Sequence, residues 1–194
     1  AAVIDGNAAN AYAVSMGSVT LNTNAMHHGL APGDLPAGSS VTVSAGAVTS
    51  TGPGRRVVNF TGPTSGTYNL ANVTLNGNNS DGLALGATQL GTYTFGDFSV
   101  NAPNGGVGTS VSGTSAAVTF RSHTQAGGSL GISLANTTGS FTVTGNGGTC
   151  TAATPTCTGG TIGATAGADG ATEGAGVWMS SASKCAAVHR ARSS

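Results

Sequence analysis

Charged residues are scarce in this chain. Only 6% of its 194 residues are charged, and six Lys and Arg side chains balance six Asp and Glu side chains, whereas about 25% charge is typical of a soluble domain. Without net positive charge, no field attracts nucleic acid or an anionic membrane. Apolar residues occur only in short runs, far below the ~20 that a membrane helix needs. The composition therefore argues against a nucleic-acid binder, a membrane-spanning protein and a helical bundle.

What the chain has in quantity is glycine, 33 residues, with many Thr, Ser, Asn and Ala. Short segments in which apolar and polar residues alternate are separated by turns rich in Gly, Asn, Pro and Asp. This period of two is typical of strands with one buried face. The predicted strands are 18–23, 40–44, 56–61, 68–75, 92–100, 117–120, 131–134, 140–144 and 176–180.

The polar positions of these strands favour a stacked solenoid. They carry Thr, Ser and Asn rather than the Lys that protects the edges of an antiparallel sandwich, and stacked strands need less protection because each is paired above and below. Strand groups recur about every 20 residues: Phe120 and Phe141 lie in similar contexts, and Gly131 and Gly176 are spaced as two turns would be. We predict an all-β, right-handed parallel β-helix over residues 1–183, with a β-sandwich as the alternative.

A resemblance to known proteins is carried by three segments, GISLANTTGSFTVTGNGGTC at 131–150, CTGGTI at 157–162 and GAGVWM at 174–179. They resemble repeats of large secreted bacterial right-handed parallel β-helix proteins, which include autotransporter-like and adhesin-like surface proteins. The resemblance covers mainly residues 128–183. It implies a fold and an extracellular or surface location, and it brings no catalytic residues with it.

The cysteines are Cys150, Cys157 and Cys185. Cys150 and Cys157 bracket a short loop with Pro155, so we expect a disulfide and an oxidising compartment. Two unpaired thiols or a metal pair are the alternatives, although no second ligand pair accompanies them. Cys185 is then free or forms an intermolecular bond.

The two ends of the chain differ from the rest. Residues 184–194 are not rich in Gly, Thr and Asn as the rest of the chain is, and we expect a disordered or non-native tail. The Ala-rich stretch 7–16 is compatible with a helix that caps the solenoid within residues 1–17, the alternative being an extra strand. Because the chain begins at Ala1 and not at Met, we expect a processed form or a piece of a larger protein.

One candidate catalytic residue is Ser129. The run Gly127-Gly-Ser129-Leu-Gly131 matches the G-x-S-x-G pattern of a nucleophile elbow, in which a strained turn between a strand and a helix exposes the serine. In a Gly- and Ser-rich chain without a following helix pattern, a turn between two strands is the stronger interpretation.

The other candidates are Asp97, Arg121 and His123. Asp97 lies within a predicted strand, where a turn does not explain an acid, and Arg121 follows about one solenoid turn later. Polysaccharide lyases and hydrolases on β-helices group several acids in one groove, often with Ca²⁺ or a nearby Arg or Lys, whereas the acids of this chain are isolated along the sequence. Uninterrupted alternation would put Arg121 and His123 on one face, suited to an anionic sugar or carboxylate. A solvated strand face is the competing interpretation.

Taken together, these features predict a structural or adhesive solenoid segment of a larger secreted or cell-surface protein. An extracellular carbohydrate or a cell-surface ligand is the expected partner, and exposed solenoid ends predict end-to-end self-association. A secreted hydrolase of esters or polysaccharides is one alternative. An ice-binding protein is another, because Thr-x-Thr occurs at 92–94 and 142–144, although not at one fixed register. No metal and no cofactor is expected.

Overall fold

The computed structural model describes residues 2–4, 13–17, 19–22, 30–32, 40–51, 58, 60, 63–76, 81–101, 106–145, 159–160, 162–163 and 176–181. These residues form strands and turns without a helix. The strands are β1 (Ala2–Ile4), β2 (Ala13–Met16), β3 (Val19–Asn22), β4 (Leu30–Pro32), β5 (Ser40–Thr51), β6 (Thr67–Asn76), β7 (Leu83–Leu85), β8 (Thr92–Asn101), β9 (Val107–Ser112), β10 (Ala117–Ala126), β11 (Leu130–Ala135), β12 (Phe141–Val143), β13 (Ile162–Gly163) and β14 (Val177–Ser180).

Every pair of described strands is parallel. An eight-stranded sheet runs in the order β12-β10-β8-β6-β5-β2, with β13 on β10 and β3 on β5, beside a four-stranded sheet β14-β11-β9-β7 and the pair β1-β4. From β6 to β11, long strands of the first sheet alternate along the chain with short strands of the second. The fold is therefore the predicted β-solenoid, and the sandwich alternative is wrong because a sandwich pairs its strands antiparallel.

The length of one turn follows from the register. Thr67 lies opposite Thr92, and Thr92 lies opposite Ala117, so these turns take 25 residues each. The expected repeat of about 20 was too short. Phe120 is paired with Val143 and not with Phe141.

A second correction concerns the segments at Gly131 and Gly176. Strands β11 and β14 are direct neighbours, with Ile132 opposite Val177. The spacing of 45 residues is therefore one long turn and not two.

Each long strand of the central turns bends at a two-residue corner. In β6 and β8 the buried positions are Tyr68 and Leu70, then Val73 and Leu75, and the same pattern recurs 25 residues later. Two consecutive residues between these pairs face outward, so the alternation changes phase. The outward pairs are Ala71 and Asn72 in β6, Gly96 and Asp97 in β8, and Arg121 and Ser122 in β10.

Gly96 shows how tightly these corners stack. A Cβ built on Gly96 would lie 1.6 Å from the carbonyl oxygen of Ala71 in the turn below. No side chain fits in that space, so glycine is required where one corner rests on the next. This close approach brings the outward side chains of successive corners within hydrogen-bonding distance.

The core is a column of rings inside the coil. Tyr68 and Tyr93 stack with centroids 5.0 Å apart, and Phe95 stacks on Phe120 at 4.9 Å. All four side chains are at most 1% exposed. In-register stacking of like side chains thus buries a continuous apolar interior, which is what joins the turns of a solenoid.

The predicted N-terminal helix at 7–16 is wrong over residues 13–16, the part that the structure describes. Ala13–Met16 forms β2, which pairs with β5, so the strand alternative holds for that part. Residues 5–12 lie outside the described residues, as does the tail 184–194.

Candidate functional site

Asp97 and Arg121 meet on the outer surface of a corner. Asp97 belongs to the β8 corner and Arg121 to the β10 corner, one turn above. Arg121 Nε donates to Asp97 Oδ1 at 2.8 Å, and Arg121 Nη2 donates to Asp97 Oδ2. This two-pronged contact is the geometry in which a guanidinium matches a carboxylate. The sequence-based expectation that the two residues lie one turn apart agrees with the structure.

Neighbouring polar groups complete this corner cluster, which we define as Asn72, Asp97, Arg121 and Ser122. Ser122 Oγ donates to Asp97 Oδ1 at 2.8 Å. Asn72 Oδ1 accepts from the Asp97 backbone N–H at 3.0 Å and from Arg121 Nη2 at 3.4 Å. The cluster therefore spans three successive turns along one edge of the solenoid.

The electrostatics of the cluster favour ionised side chains. Hydrogen bonds from Arg121 and then Ser122 lower the pKa of the Asp97 carboxyl, and Asp97 in turn raises the pKa of Arg121. A general acid needs a raised carboxyl pKa, so Asp97 is poorly suited to that role. Both side chains are about half exposed, 50% for Asp97 and 48% for Arg121, and such a pair contributes roughly 0 to 1 kcal/mol to stability.

His123 does not join this cluster. It is 2% exposed and lies inside the coil, whereas Arg121 faces outward. The expectation that the two share a face was wrong because the corner at residues 121–122 shifts the alternation by one residue. His123 Nε2 lies 3.0 Å from Thr109 Oγ1, and the ring stacks on Phe98 with centroids 5.4 Å apart.

Burial sets the charge of His123. Removal from water lowers the pKa of the imidazole from 6.5 to about 4, with a smaller opposing effect from its own backbone. Among the described residues, Nδ1 has no hydrogen-bond partner. A neutral, enclosed ring cannot bind an anionic sugar, so the predicted Arg121–His123 binding pair is not formed.

Ser129 lies in the turn between β10 and β11. The two residues before it, Gly127 and Gly128, have φ values of 78° and 91°, a backbone region that favours glycine. The Ser129 N–H donates to the carbonyl of Gly106 at 3.1 Å. A strand follows immediately, so the strand–turn–helix context of a nucleophile elbow is absent here.

The cysteines lie outside the described residues, and neither a metal site nor a membrane-spanning helix is seen within them. Cys150, Cys157 and Cys185 are not among the described residues, and their pairing stays a prediction. Within the described part of the chain, no three His, Cys, Asp or Glu side chains come together as metal ligands would. In that same part, no helix reaches the length and apolar character required to cross a bilayer.

An ordered polar surface runs along the described part of the eight-stranded sheet, and the Thr-x-Thr segments of the sequence indicate it only in outline. We call it the polar face: the outward residues of β6, β8, β10 and β12 in the eight-stranded sheet. One column of it contains Asn69, Thr94, Thr119 and Thr142, each opposite the next in register. A second contains Thr74, Ser99 and Thr124. All of these side chains are partly or fully exposed.

A repeat in the sequence predicts this face once its period is known. TYNLANVTLN at 67–76 and TYTFGDFSVN at 92–101 share Thr, Tyr and Asn at equivalent positions. AVTFRSHTQA at 117–126 keeps a threonine opposite Thr94 and opposite Ser99, but has alanine opposite Thr92 and Asn101. The Thr-x-Thr segments at 92–94 and 142–144 are offset by two residues, since Thr142 follows the column of Thr94 and Thr119. One threonine from each of three successive turns, Thr94, Thr119 and Thr142, nonetheless forms a continuous column.

No protein-family model, no curated protein and no solved structure matches this chain.

Proposed function

We propose that this chain is a structural and adhesive β-solenoid segment of a secreted or cell-surface protein. The observation that carries the proposal is the polar face, whose Thr, Ser and Asn side chains are in register over successive turns. Strand spacing puts neighbours of a column about 4.8 Å apart, and alternate residues along a strand about 6.6 Å apart. The result is a regular array of hydroxyl, methyl and amide groups.

This array suits an extended neutral partner. Apart from the corner cluster, the outward positions described on β6, β8, β10 and β12 carry no charge, so charge complementarity gives no affinity for ions. Threonine is β-branched and stiff at χ1, so the array loses little conformational entropy on binding. Many weak contacts repeated along the axis add up by multivalency. A neutral, hydroxyl-rich extracellular carbohydrate is the partner class that fits these properties.

Adsorption to insoluble polysaccharide tests this function. We expect the protein to be depleted from solution by microcrystalline cellulose or chitin, and Thr94→Lys with Thr119→Lys to reduce the bound fraction at least 10-fold. The matched control is Ser110→Lys with Ser133→Lys, a paired outward position on the four-stranded sheet. Equal adsorption of wild type and both variants would contradict a role for the polar face.

The compartment follows from the same proposal. A Cys150–Cys157 disulfide requires an oxidising environment. Thiol titration of the denatured chain, which has three cysteines, is expected to give one free thiol before reduction and three after. Three free thiols before reduction, in protein recovered from its native source, would argue against the extracellular assignment.

Self-association belongs to the proposal as well. A solenoid end exposes strand edges that can pair with another chain, and β14 carries the exposed side chain of Met179, 49% accessible. We expect the mass measured by light scattering to rise with protein concentration. A mass that stays monomeric at every concentration would remove this part of the proposal.

Ice binding is a second candidate, favoured by the column of Thr94, Thr119 and Thr142. Flat arrays of threonine can order water on a solenoid face, and this column is continuous over three turns. Thermal hysteresis that disappears in Thr119→Lys would favour ice over polysaccharide. Polysaccharide adsorption without thermal hysteresis would leave the adhesive function as the better account.

A further inference from the structure

We propose that His123 is an acid-sensitive latch that holds the last described turn of the solenoid onto the turn before it. The last described turn consists of residues 141–145, 159–160, 162–163 and 176–181. Protonation of the His123 ring releases this turn while the preceding turns remain folded. This inference does not depend on the proposed adhesive function.

His123 lies in the middle of the junction between β10 and the last described turn, while β14 of that turn pairs separately with β11. The His123 N–H donates to the carbonyl of Gly159 at 2.8 Å. Gly160 has φ +99°, and a Cβ on it would lie 1.9 Å from the His123 carbonyl oxygen, so the two backbones are in close contact. β12 pairs with β10 before His123, and β13 pairs with β10 after it, at Gln125 and Ala126. Movement of His123 therefore disturbs the centre of this junction.

The surroundings of His123 accept only a neutral ring. Phe98 stacks on it, and Phe120 meets it edge-on with centroids 5.4 Å apart. Thr109 Oγ1 contacts Nε2, whereas no group in the described part of the chain is hydrogen-bonded to Nδ1. A protonated imidazole carries two N–H donors, so the cation would leave the Nδ1 donor unsatisfied in the core.

No counter-charge compensates for protonation. Among the described residues, no charged or titratable side chain of β8, β9, β10 or the segment 159–160 faces the ring. The nearest charged residues along the chain, Asp97 and Arg121, lie on the outer surface and pair with each other. The described contacts of the ring are aromatic carbon and one hydroxyl, and they offset only part of the desolvation cost of a buried cation.

The last described turn is also less buried than the turn before it. Its strands are only partly buried: Thr142 and Val143 in β12 and Val177 and Trp178 in β14 are half-buried, whereas the preceding turn buries Val118 and Phe120 completely. Segments with less buried apolar surface open at lower free energy.

Hydrogen exchange of the whole chain, read peptide by peptide and corrected for the intrinsic pH dependence of exchange, tests the latch. With a pKa of 6.5 for the exposed ring and about 4 for the buried one, opening of the last turn is expected to increase about 30-fold from pH 8 to pH 5. The increase should be confined to residues 117–126, 130–135 and the last described turn. Residues 67–76 and 83–101 should keep their protection.

The matched variant is His123→Phe, because Phe98 occupies the equivalent inward position one turn below. It is expected to lose the acid-dependent opening. Imidazole resonances of the wild type, followed by NMR titration, test the same point without a substitution: His123 should remain neutral at pH 5. In hydrogen exchange, the latch is overturned if exchange at pH 5 rises equally in all turns, does not rise at all, or rises as strongly in His123→Phe. In the NMR titration, it is overturned if His123 is protonated at pH 5 in the closed protein.

Discussion

Replacing Phe120 by alanine is the substitution that we expect to weaken the fold most. Phe120 is fully buried, with ring centroids 4.9 Å from Phe95, 5.1 Å from Phe98 and 5.6 Å from Phe141. These partners lie in the turns below and above it. Phe120 therefore connects three successive turns, and its loss weakens two interfaces at once.

The size of the effect follows from burial. A fully buried Phe→Ala change costs about 3 to 5 kcal/mol, from lost transfer free energy and the cavity left behind. Each well-placed aromatic contact contributes about 0.5 to 1.5 kcal/mol beyond its area, which places Phe120→Ala near the upper end, at about 4 to 5 kcal/mol. Because domains are stable by about 5 to 15 kcal/mol, the loss is a large fraction of the total.

Urea unfolding measures this loss. Circular dichroism follows all turns, and fluorescence of the single tryptophan, Trp178, follows β14. The control is Leu90→Ala, since Leu90 is 53% exposed and its truncation should change the free energy of unfolding by less than about 0.5 kcal/mol. A cost below about 1 kcal/mol for Phe120→Ala, or one equal to that of Leu90→Ala, would refute the ring column as the connection between turns.

Three further predictions concern the corner, a glycine and the serine. Asp97→Asn should lower the free energy of unfolding at pH 7 by less than about 1 kcal/mol, as for an exposed ion pair. Because Arg121 lowers the pKa of Asp97 in the folded state, this contribution is present above the carboxyl pKa of the unfolded chain and disappears as the pH falls below it. Gly96→Ala should destabilise by about 1 to 3 kcal/mol through overpacking, whereas Gly17→Ala, with no atom within 4 Å of the added Cβ, should be nearly neutral; equal effects in urea unfolding would contradict the corner geometry. Ser129→Ala should leave hydrolysis of p-nitrophenyl esters unchanged, and an activity that the substitution abolishes would restore the hydrolase hypothesis.

The sequence predicts the strands well because their signal is local. Alternation in 92–100 and in 68–75 identifies β8 and β6, since each residue faces in or out according to its own polarity. Strand β7 was not predicted because Leu83-Ala-Leu85 is too short to show a period, and β9 because glycine and serine interrupt its pattern.

Register and corners were harder to predict because they depend on distant chain. In β8 the inward residues are Tyr93 and Phe95, then Phe98 and Val100, so the phase change is visible in the sequence once a corner is considered. In β10 the inward residues after the corner are His123 and Gln125, whose polarity conceals the change. The prediction that Arg121 and His123 share a face was wrong because the corner at residues 121–122 lies between them. The proximity of Asp97 and Arg121 could be predicted because their spacing is close to one whole turn.

The central claim is that parallel turns of 25 residues stack in register and align the polar face. Proton NMR contacts between neighbouring strands test it most directly. The account predicts amide-to-α-proton contacts between residues at this offset, such as Thr94 with Thr119 and Phe95 with Phe120. Close α-proton pairs between strands, which antiparallel sheets produce, together with no contact at the 25-residue offset, would contradict it.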